Sequence, residues 1–165
     1  MRSGVEQIAL AGNGLCIAVV AARWNATVVE PILRGVLAKL DACEAARVAV
    51  VRVPGAFELP FGCKLLAETG EFHAVIALGA VIRGDTPHFE YVAGPCAHFL
   101  AEVGQQTGVP VIFGVLTTND AAQAALRADP AGDNKGGEAA RAAVEMALLC
   151  KTWRNCAKSD ATHAV

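Results

Sequence analysis

Residues 79–90 read GAVIRGDTPHFE, and they join an apolar strand to a helix through a glycine turn. In an open α/β sheet, ligands bind at junctions of this kind. Asp85 and Thr86 stand at the predicted helix start, where free backbone N–H groups can bind an anion. His88 follows within one turn and can transfer protons near neutral pH. The stretch therefore favours an enzyme that acts on a phosphorylated small molecule.

Apolar runs rich in β-branched residues recur along the chain and predict its strands. Four such runs span residues 15–21, 47–53, 74–82 and 109–116. Continuous apolar runs are typical of parallel strands that are covered on both faces. We therefore predict four parallel strands.

Amphipathic or alanine-rich stretches separate and follow these runs. Apolar residues recur at helical spacing between residues 28 and 40 and between 57 and 66, and residues 89–106 and 135–153 are long enough for several helical turns. The order is βαβαβαβ followed by helices, which predicts a parallel sheet between two helical layers. Pro31 lacks a backbone donor, so the first helix is expected either to begin near Glu30 or to bend there.

The composition indicates one compact domain. The chain has 165 residues, of which 54% are hydrophobic, and a net charge of −2. The sequence has no block of lysine or arginine that would predict a nucleic-acid or membrane-surface partner. The expected partners are therefore small molecules and copies of the chain itself. The apolar stretch 15–22 is too short to span a bilayer and lacks the flanks of a signal peptide, so we expect a cytoplasmic protein.

The cysteines and the chain ends complete this outline. None of the six cysteines forms a C-x-x-C pair, so reduced and mostly buried thiols are favoured over disulfides or metal ligands. Cys156, in a polar segment, is the one expected to be exposed and reactive. We take residues 14–154 as the domain, 1–13 as an N-terminal arm and 155–165 as a polar C-terminal tail, both ends being mobile or used by a neighbouring subunit.

The unusual residues follow the strands, where the loops of a parallel sheet converge on one crevice. Trp24 offers a flat face for stacking a heterocycle, although core packing is the slightly better interpretation of a lone tryptophan. Glu58 could stabilise the start of a helix, or its carboxylate could accept hydrogen bonds from the hydroxyl and N–H groups of a ligand. Arg127 and Lys135 are ordinarily solvated charges, but Arg127 could clamp a phosphate if its loop folds over this crevice or a neighbour's.

Several motifs together closely resemble the lumazine synthase family of riboflavin biosynthesis. They occur in the family's order and spacing, between about Leu15 and Leu149, and they read RWN at 23–25, VPGAFELP at 53–60, GAVIRGDTPHFEY at 79–91, PVIFGVLTT at 110–118 and NKGGE at 134–138. A set of motifs in order is far more specific than any single loop. Trp24 stands where many relatives have phenylalanine, which widens the stacking face without changing its nature.

The resemblance implies an α/β, flavodoxin-like three-layer α/β/α sandwich with a four-stranded parallel sheet. It implies condensation of 5-amino-6-(D-ribitylamino)uracil with 3,4-dihydroxy-2-butanone 4-phosphate to 6,7-dimethyl-8-ribityllumazine and phosphate, the penultimate step of riboflavin biosynthesis. Neither a metal nor another cofactor is expected. Homopentamers with sites between neighbouring subunits are implied, and riboflavin synthase is a candidate partner; whether pentamers stop there, pair or close into an icosahedral shell stays open.

The resemblance also assigns roles to individual residues. His88 would be the general acid and base. The ribitylaminouracil would contact Trp24, Ala56, Phe57, Glu58, Ala80, Val81, Ile82, Lys135 and, from the adjacent subunit, Phe113. The phosphate of the second substrate would contact Asp85, Thr86 and Arg127. Because a carboxylate repels phosphate, we expect Asp85 to contribute its backbone N–H while its side chain caps the helix.

Three other interpretations stay open at this point. An archaeal-type riboflavin synthase has a similar fold, but the sequence Thr86-Pro87-His88 after a strand, with Arg127 downstream, fits the phosphate-using enzyme better. A lumazine-binding or shell-forming protein without turnover is a second possibility. A generic flavodoxin-like binding domain is the third, and it would make Trp24 and Phe113 ordinary core aromatics.

Overall fold

The sheet is built from the four predicted apolar runs. The computed structural model describes residues 10–132 and 134–161, with side chains up to residue 154. The strands are β1 (Cys16–Ala22), β2 (Arg47–Val53), β3 (Ala74–Ile82) and β4 (Val111–Thr118). They lie in the order β2-β1-β3-β4, and all three pairings are parallel. The predicted four-stranded parallel sheet is confirmed, and its order is that of the flavodoxin-like folds.

Helices cover both faces of this sheet. They are α1 (Ala26–Ala42), α2 (Leu59–Glu68), α3 (His88–Thr107), α4 (Ala121–Ala128) and α5 (Lys135–Ala161), and a short 3₁₀ turn, Ala56–Glu58, precedes α2. Alternate residues of β1 face opposite layers, as the period of a strand requires. Ile17, Val19 and Ala21 pack with α1, α4 and α5, whereas Ala18 and Val20 pack with α2 and α3. The predicted three-layer α/β/α sandwich is confirmed.

The structure corrects two predicted helix ends. Helix α1 begins at Ala26 and contains Pro31 in its interior, so a start near Glu30 is wrong, while a bend at that proline stays a prediction. Helix α5 continues to Ala161, beyond the predicted end at residue 153. Residues 138–161 contain neither glycine nor proline, so the sequence has no stop signal there.

The predicted N-terminal segment lies mostly outside the described residues, and the C-terminal one lies partly outside them. Residues 1–9 and 162–165 are not described, and neither is the side chain of Cys156. Just inside the described part, the Gly12 N–H donates to the Cys43 carbonyl at 2.6 Å and the Asn13 amide donates to Glu44 at 3.0 Å. These bonds fasten the chain leading into β1 to the turn that follows α1.

Within the part of the chain that the structure describes, no helix combines the length and the apolar character needed to cross a membrane.

Candidate functional site

A cleft of about 480 Å³ opens at the carboxyl ends of β1, β2 and β3. Its lining residues all fall between residues 24 and 92, so the first three strand–helix units of the chain build it. They are Trp24, Asn25, Ala56, Phe57, Glu58, Ala80, Val81, Ile82, His88, Tyr91 and Val92. The crevice predicted from the loops that follow these strands is therefore present.

The loop after β1 carries Trp24 into the cleft. Its ring is 65% exposed, so the interpretation of Trp24 as a core residue is wrong. The backbone N–H of Trp24 donates to the Pro54 carbonyl at 3.0 Å, which ties this loop to the one after β2. Asn25 follows with φ 56° and ψ 41°, a left-handed conformation that asparagine adopts more readily than most residues. Its amide donates to the Ala80 carbonyl at 2.8 Å and so braces the loop against the end of β3.

The loop after β2 supports Trp24 from below. A Cβ atom at Gly55 would lie 2.5 Å from Cε3 of Trp24, so only glycine lets the indole ring lie this close to the backbone. The Gly55 N–H donates to the Glu58 carboxylate at 2.8 Å. Glu58 thus has the structural role predicted for it, at the start of a helical segment, and it also lines the cleft beside the stacking face.

The loop between β3 and α3 brings His88 to the cleft. Helix α3 begins at His88 with Pro87 at its N-cap position, and no side chain caps it. The predicted helix cap by Asp85 is therefore wrong, because the helix starts two residues later than that side chain would require. Asp85 and Thr86 are exposed in the loop beside the cleft and do not line it.

The lining is mostly apolar and carries a few polar groups, among them the hydroxyl of Tyr91. Ala56, Ala80 and Val81 are buried and form the floor. Asn25, Glu58 and His88 offer an amide, a carboxylate and an imidazole. A flat apolar site with a few placed polar groups is suited to a heterocyclic ligand that bears hydroxyl or N–H groups. The imidazole adds a group that can donate and accept protons.

Three predicted site residues lie away from this cleft. Phe113 is 45% exposed on β4, opposite Ala77 of β3. Arg127 is exposed in the last turn of α4, where its guanidinium donates to the Gln123 carbonyl at 3.4 Å. Lys135 begins α5, and its ammonium pairs with Glu138 at 2.8 Å. Within one chain, none of the three touches the space beside Trp24 and His88.

Three lining residues were not among the predicted site residues. Asn25 was noticed in its loop but given no role, although an asparagine directly after a strand is a familiar signal for a left-handed turn. Tyr91 and Val92 follow His88 by three and four positions, so they share its side of the helix. Helical periodicity counted from His88 would have found both.

A polar cluster centred on Arg83 lies next to the first turn of α3. The Arg83 guanidinium forms an ion pair with Glu90 and stacks over the Phe89 ring, with 4.1 Å between Cζ and the ring centroid. Its Nε also donates to the Asn119 side chain at 3.3 Å. The hydrogen bond from Arg83 lowers the pKa of Glu90, which keeps this carboxylate charged.

The fold and the cleft define a class of protein. A doubly wound parallel sheet with a small-molecule cleft outside the carboxyl ends of its strands is typical of flavodoxin-like ligand-binding and catalytic proteins.

Comparison with known proteins narrows this class to one family. A family model described as 6,7-dimethyl-8-ribityllumazine synthase matches residues 14–151. A 6,7-dimethyl-8-ribityllumazine synthase of Thermobifida fusca (strain YX) is 47% identical over 155 residues, which cover 93% of this chain and 90% of that protein. One of Kineococcus radiotolerans is 49% identical over 150 residues, which cover 90% of this chain and 92% of the relative.

The chain therefore belongs to the 6,7-dimethyl-8-ribityllumazine synthase family. The resemblance predicted from the motifs is confirmed, and so is the enzyme class, a transferase of riboflavin biosynthesis.

Proposed function

We propose that the protein condenses 5-amino-6-(D-ribitylamino)uracil with 3,4-dihydroxy-2-butanone 4-phosphate to give 6,7-dimethyl-8-ribityllumazine and phosphate. One observation carries the proposal. A single cleft brings together a stacking face, a carboxylate and an imidazole, from Trp24, Glu58 and His88. These are the groups needed to hold a pyrimidine, to bind its N–H or hydroxyl groups and to move protons.

In this proposal the pyrimidine stacks on Trp24, and its ribityl chain follows the loops at the ends of β2 and β3. The residues that line these positions are Ala56, Phe57, Glu58, Ala80, Val81 and Ile82. The exposed ring of Trp24 and the mostly apolar floor support this arrangement. Glu58 is already held by the Gly55 N–H, so its carboxylate is oriented before a ligand binds.

The chemistry that follows requires proton transfers at several steps. The amine and the ketone form an imine with loss of water, phosphate leaves, and the ring closes with loss of a second water. His88 lies at the edge of the cleft and serves as the general acid and base. Both substrates are intrinsically reactive, so holding them together supplies much of the acceleration.

The phosphate of the second substrate binds beyond His88. The exposed loop at Asp85 and Thr86 supplies backbone N–H groups, and a guanidinium from Arg127 completes the site. Arg127 and Phe113 are exposed and lie away from the cleft of their own chain, which supports their contribution to a neighbour's cleft. We assign Lys135 to the pyrimidine end of the same shared site.

A shared site requires self-association, and we propose homopentamers as the basic assembly. Large apolar side chains of the cleft, Phe57 and Tyr91, and of helix α2, Phe61 and Leu65, are unusually exposed for a monomer, which supports this assignment. Riboflavin synthase, which would use the product, is the proposed protein partner. The five cysteines whose side chains are described are free thiols, which supports a reducing cytoplasmic location.

The first test mixes the purified protein with both substrates and follows the product by its absorbance and fluorescence against the uncatalysed reaction. We expect acceleration. A folded oligomer that binds lumazine without accelerating its formation would replace the proposal with a binding or shell-forming role.

Two variants test the assigned residues. Arg127→Ala should raise KM for the phosphorylated ketone by about tenfold or more, since a charge-assisted hydrogen bond contributes about 1.5–3 kcal/mol. The matched control is Arg34→Ala, which removes an exposed arginine from α1. An unchanged KM would remove Arg127 from the phosphate site. His88→Ala should lower kcat by about 100-fold and keep measurable turnover, so complete inactivity of a folded variant would contradict the shared contribution of proximity.

A further inference from the structure

We propose that Arg83 is a positioning residue for His88: its side chain fixes the first turn of α3 against β4 and thereby directs the imidazole into the cleft. The inference rests on the proposed function, because it concerns the proton transfers assigned there to His88. Arg83 itself lies outside the cleft lining, so it acts through the helix and not on a substrate.

Arg83 is anchored on the sheet side through its backbone and its side chain. Its N–H donates to the Thr118 carbonyl at 2.9 Å, which extends the pairing of β3 with β4 by one residue. Its Nε donates to the Asn119 side chain at 3.3 Å. The backbone and the side chain of Arg83 are therefore both attached to the carboxyl end of β4.

The far end of the same side chain holds the two residues that follow His88. One is Glu90, through the ion pair, and the other is Phe89, whose ring lies 4.1 Å below the guanidinium carbon. An ion pair fixes a distance, and a stacked ring fixes an orientation. Together they restrict both the position and the rotation of the first helical turn.

Helix α3 also packs on the core through Phe89 and Val92, but its N-terminal end is uncapped. Pro87 occupies the N-cap position and no side chain accepts the free N–H groups of the first turn. The preceding residues 83–88 are exposed, and a Cβ placed on Gly84 would find no atom within 4 Å. Where an open loop leads into an uncapped helix start, the contacts of Arg83 with Glu90 and Phe89 add to this core packing in fixing the direction of His88.

The opposing explanation is that this is an ordinary surface ion pair. The side chains of Arg83 and Glu90 are 43% and 52% exposed, and pairs of that kind contribute little to stability. The chain contains a matched example to test the difference. Arg47 pairs with Glu71 at 2.7 Å and stacks over Phe72 at 5.2 Å, at the opposite end of the sheet from the cleft.

The experiment measures kcat and KM for Arg83→Met, Arg83→Lys and Arg47→Met. We expect Arg83→Met to lower kcat by about tenfold, with both KM values within about twofold, because a misdirected proton-transfer group loses part of the roughly 100-fold that such a group supplies. Arg83→Lys keeps the charge opposite Glu90 but loses the stack on Phe89 and the bond from Nε, so its kcat should fall between those of Arg83→Met and the original protein. Arg47→Met should leave kcat within about twofold.

The His88→Ala background gives the deciding comparison. If Arg83 acts through His88, Arg83→Met has no further effect on kcat once the imidazole is gone. An equal loss of kcat in both backgrounds, or an equal loss from Arg47→Met, would overturn the inference and leave Arg83 as a general structural contact.

Amide hydrogen exchange separates this inference from the proposed function. Arg83→Met should accelerate exchange at residues 91–94, whose N–H groups bond to the carbonyls of the first helical turn, and Arg47→Met should not. If the original protein forms no lumazine, the proposed function fails, and the exchange rates still decide whether Arg83 holds the turn. If the protein is active and Arg83→Met changes neither exchange nor kcat, only the positioning role fails.

Discussion

Gly136→Ala is expected to destabilise the protein, although alanine is the better helix former. A Cβ at Gly136 would lie 2.1 Å from the Ile32 carbonyl oxygen of α1 and 2.8 Å from the Asn134 side-chain oxygen. The first distance is about 1.3 Å short of the 3.4 Å at which ordinary contact begins. The obstructing atom is backbone, so the start of α5 has to move away from α1.

The size of the effect follows from three contributions. Overpacking of this kind costs about 1–3 kcal/mol. The movement also loosens Asn134, whose side chain accepts from the Gly136 N–H at 2.9 Å and donates to the Ala128 and Pro31 carbonyls at 3.0 and 3.3 Å. Losing one such bond costs about 1 kcal/mol, and helix propensity returns up to about 1 kcal/mol. We therefore expect a net loss of about 2 kcal/mol.

The neighbouring glycine provides the control. A Cβ at Gly137 meets no atom within 4 Å, so Gly137→Ala makes the same chemical change in the same turn without the clash and should be neutral or stabilising by up to about 1 kcal/mol. Thermal unfolding at equal protein concentration and oligomeric state should place Gly136→Ala about 4–8 °C below the original protein. If both variants unfold at the same temperature, the close packing of α5 on α1 is refuted.

Further changes should act at the cleft and in the core. Gly55→Ala should push the Trp24 ring about 1 Å aside and raise KM for the uracil substrate about fivefold in steady-state kinetics, the equivalent of about 1 kcal/mol of stacking. Asn25→Ala should lower unfolding stability in urea by about 2 kcal/mol, because the variant loses a hydrogen bond and the tolerance for a left-handed backbone. Burial raises the pKa of Cys96 to about 11 and that of Cys63 further, so below pH 9 both should resist a charged thiol reagent until the protein unfolds. These folded pKa values lie above the ordinary 9.0, so the two thiols should not weaken the folded state below pH 9 and should lower its stability as the pH rises above 9. Urea titrations at about pH 8 and about pH 10.5 would measure this loss by comparing the original protein with a Cys63→Ala/Cys96→Ala double variant.

Each of these predictions has a control and an opposing result. For Gly55, the control is Gly94→Ala, where a Cβ meets no atom within 4 Å; equal KM values for the two variants would refute the role of Gly55 in placing the ring. For Asn25, the glycine variant keeps the left-handed backbone, and it should cost about half as much as alanine. Rapid native labelling of Cys63 or Cys96, mapped by mass spectrometry, would contradict their burial.

The strands were predictable because their signal is local. A parallel strand covered on both faces needs a continuous apolar run, and residues 47–53 and 74–82 match β2 and β3 at both ends. The loops after these strands were predictable for the same reason, since the direction of a parallel strand fixes the edge of the sheet at which its loop lies.

What the sequence could not determine depends on contacts between distant residues. An aromatic ring after a buried strand fits a core or a cleft, and the exposure of Trp24, whose ring lies against Gly55, distinguishes the two. Arg83 appears in the sequence as an isolated charge, because one of its partners, Asn119, is 36 positions away. The end of α5 was missed for a different reason: a polar composition was taken for the end of a helix when no residue there stops one.

The cleft draws all of its lining from residues 24–92, while the second half of the chain presents Phe113 and Arg127 elsewhere. For a site completed by a neighbour, this division predicts complementation between defective chains. A subunit that carries His88→Ala can still contribute Arg127 to a shared site, and one that carries Arg127→Ala can still contribute His88. In rings assembled at random from equal amounts of the two, about one junction in four would join two intact halves, by simple combination of neighbours around a closed ring. Two impaired proteins, unfolded and reassembled together, would then form some sites with both His88 and Arg127 and exceed the turnover of either variant alone when the ketone phosphate is limiting.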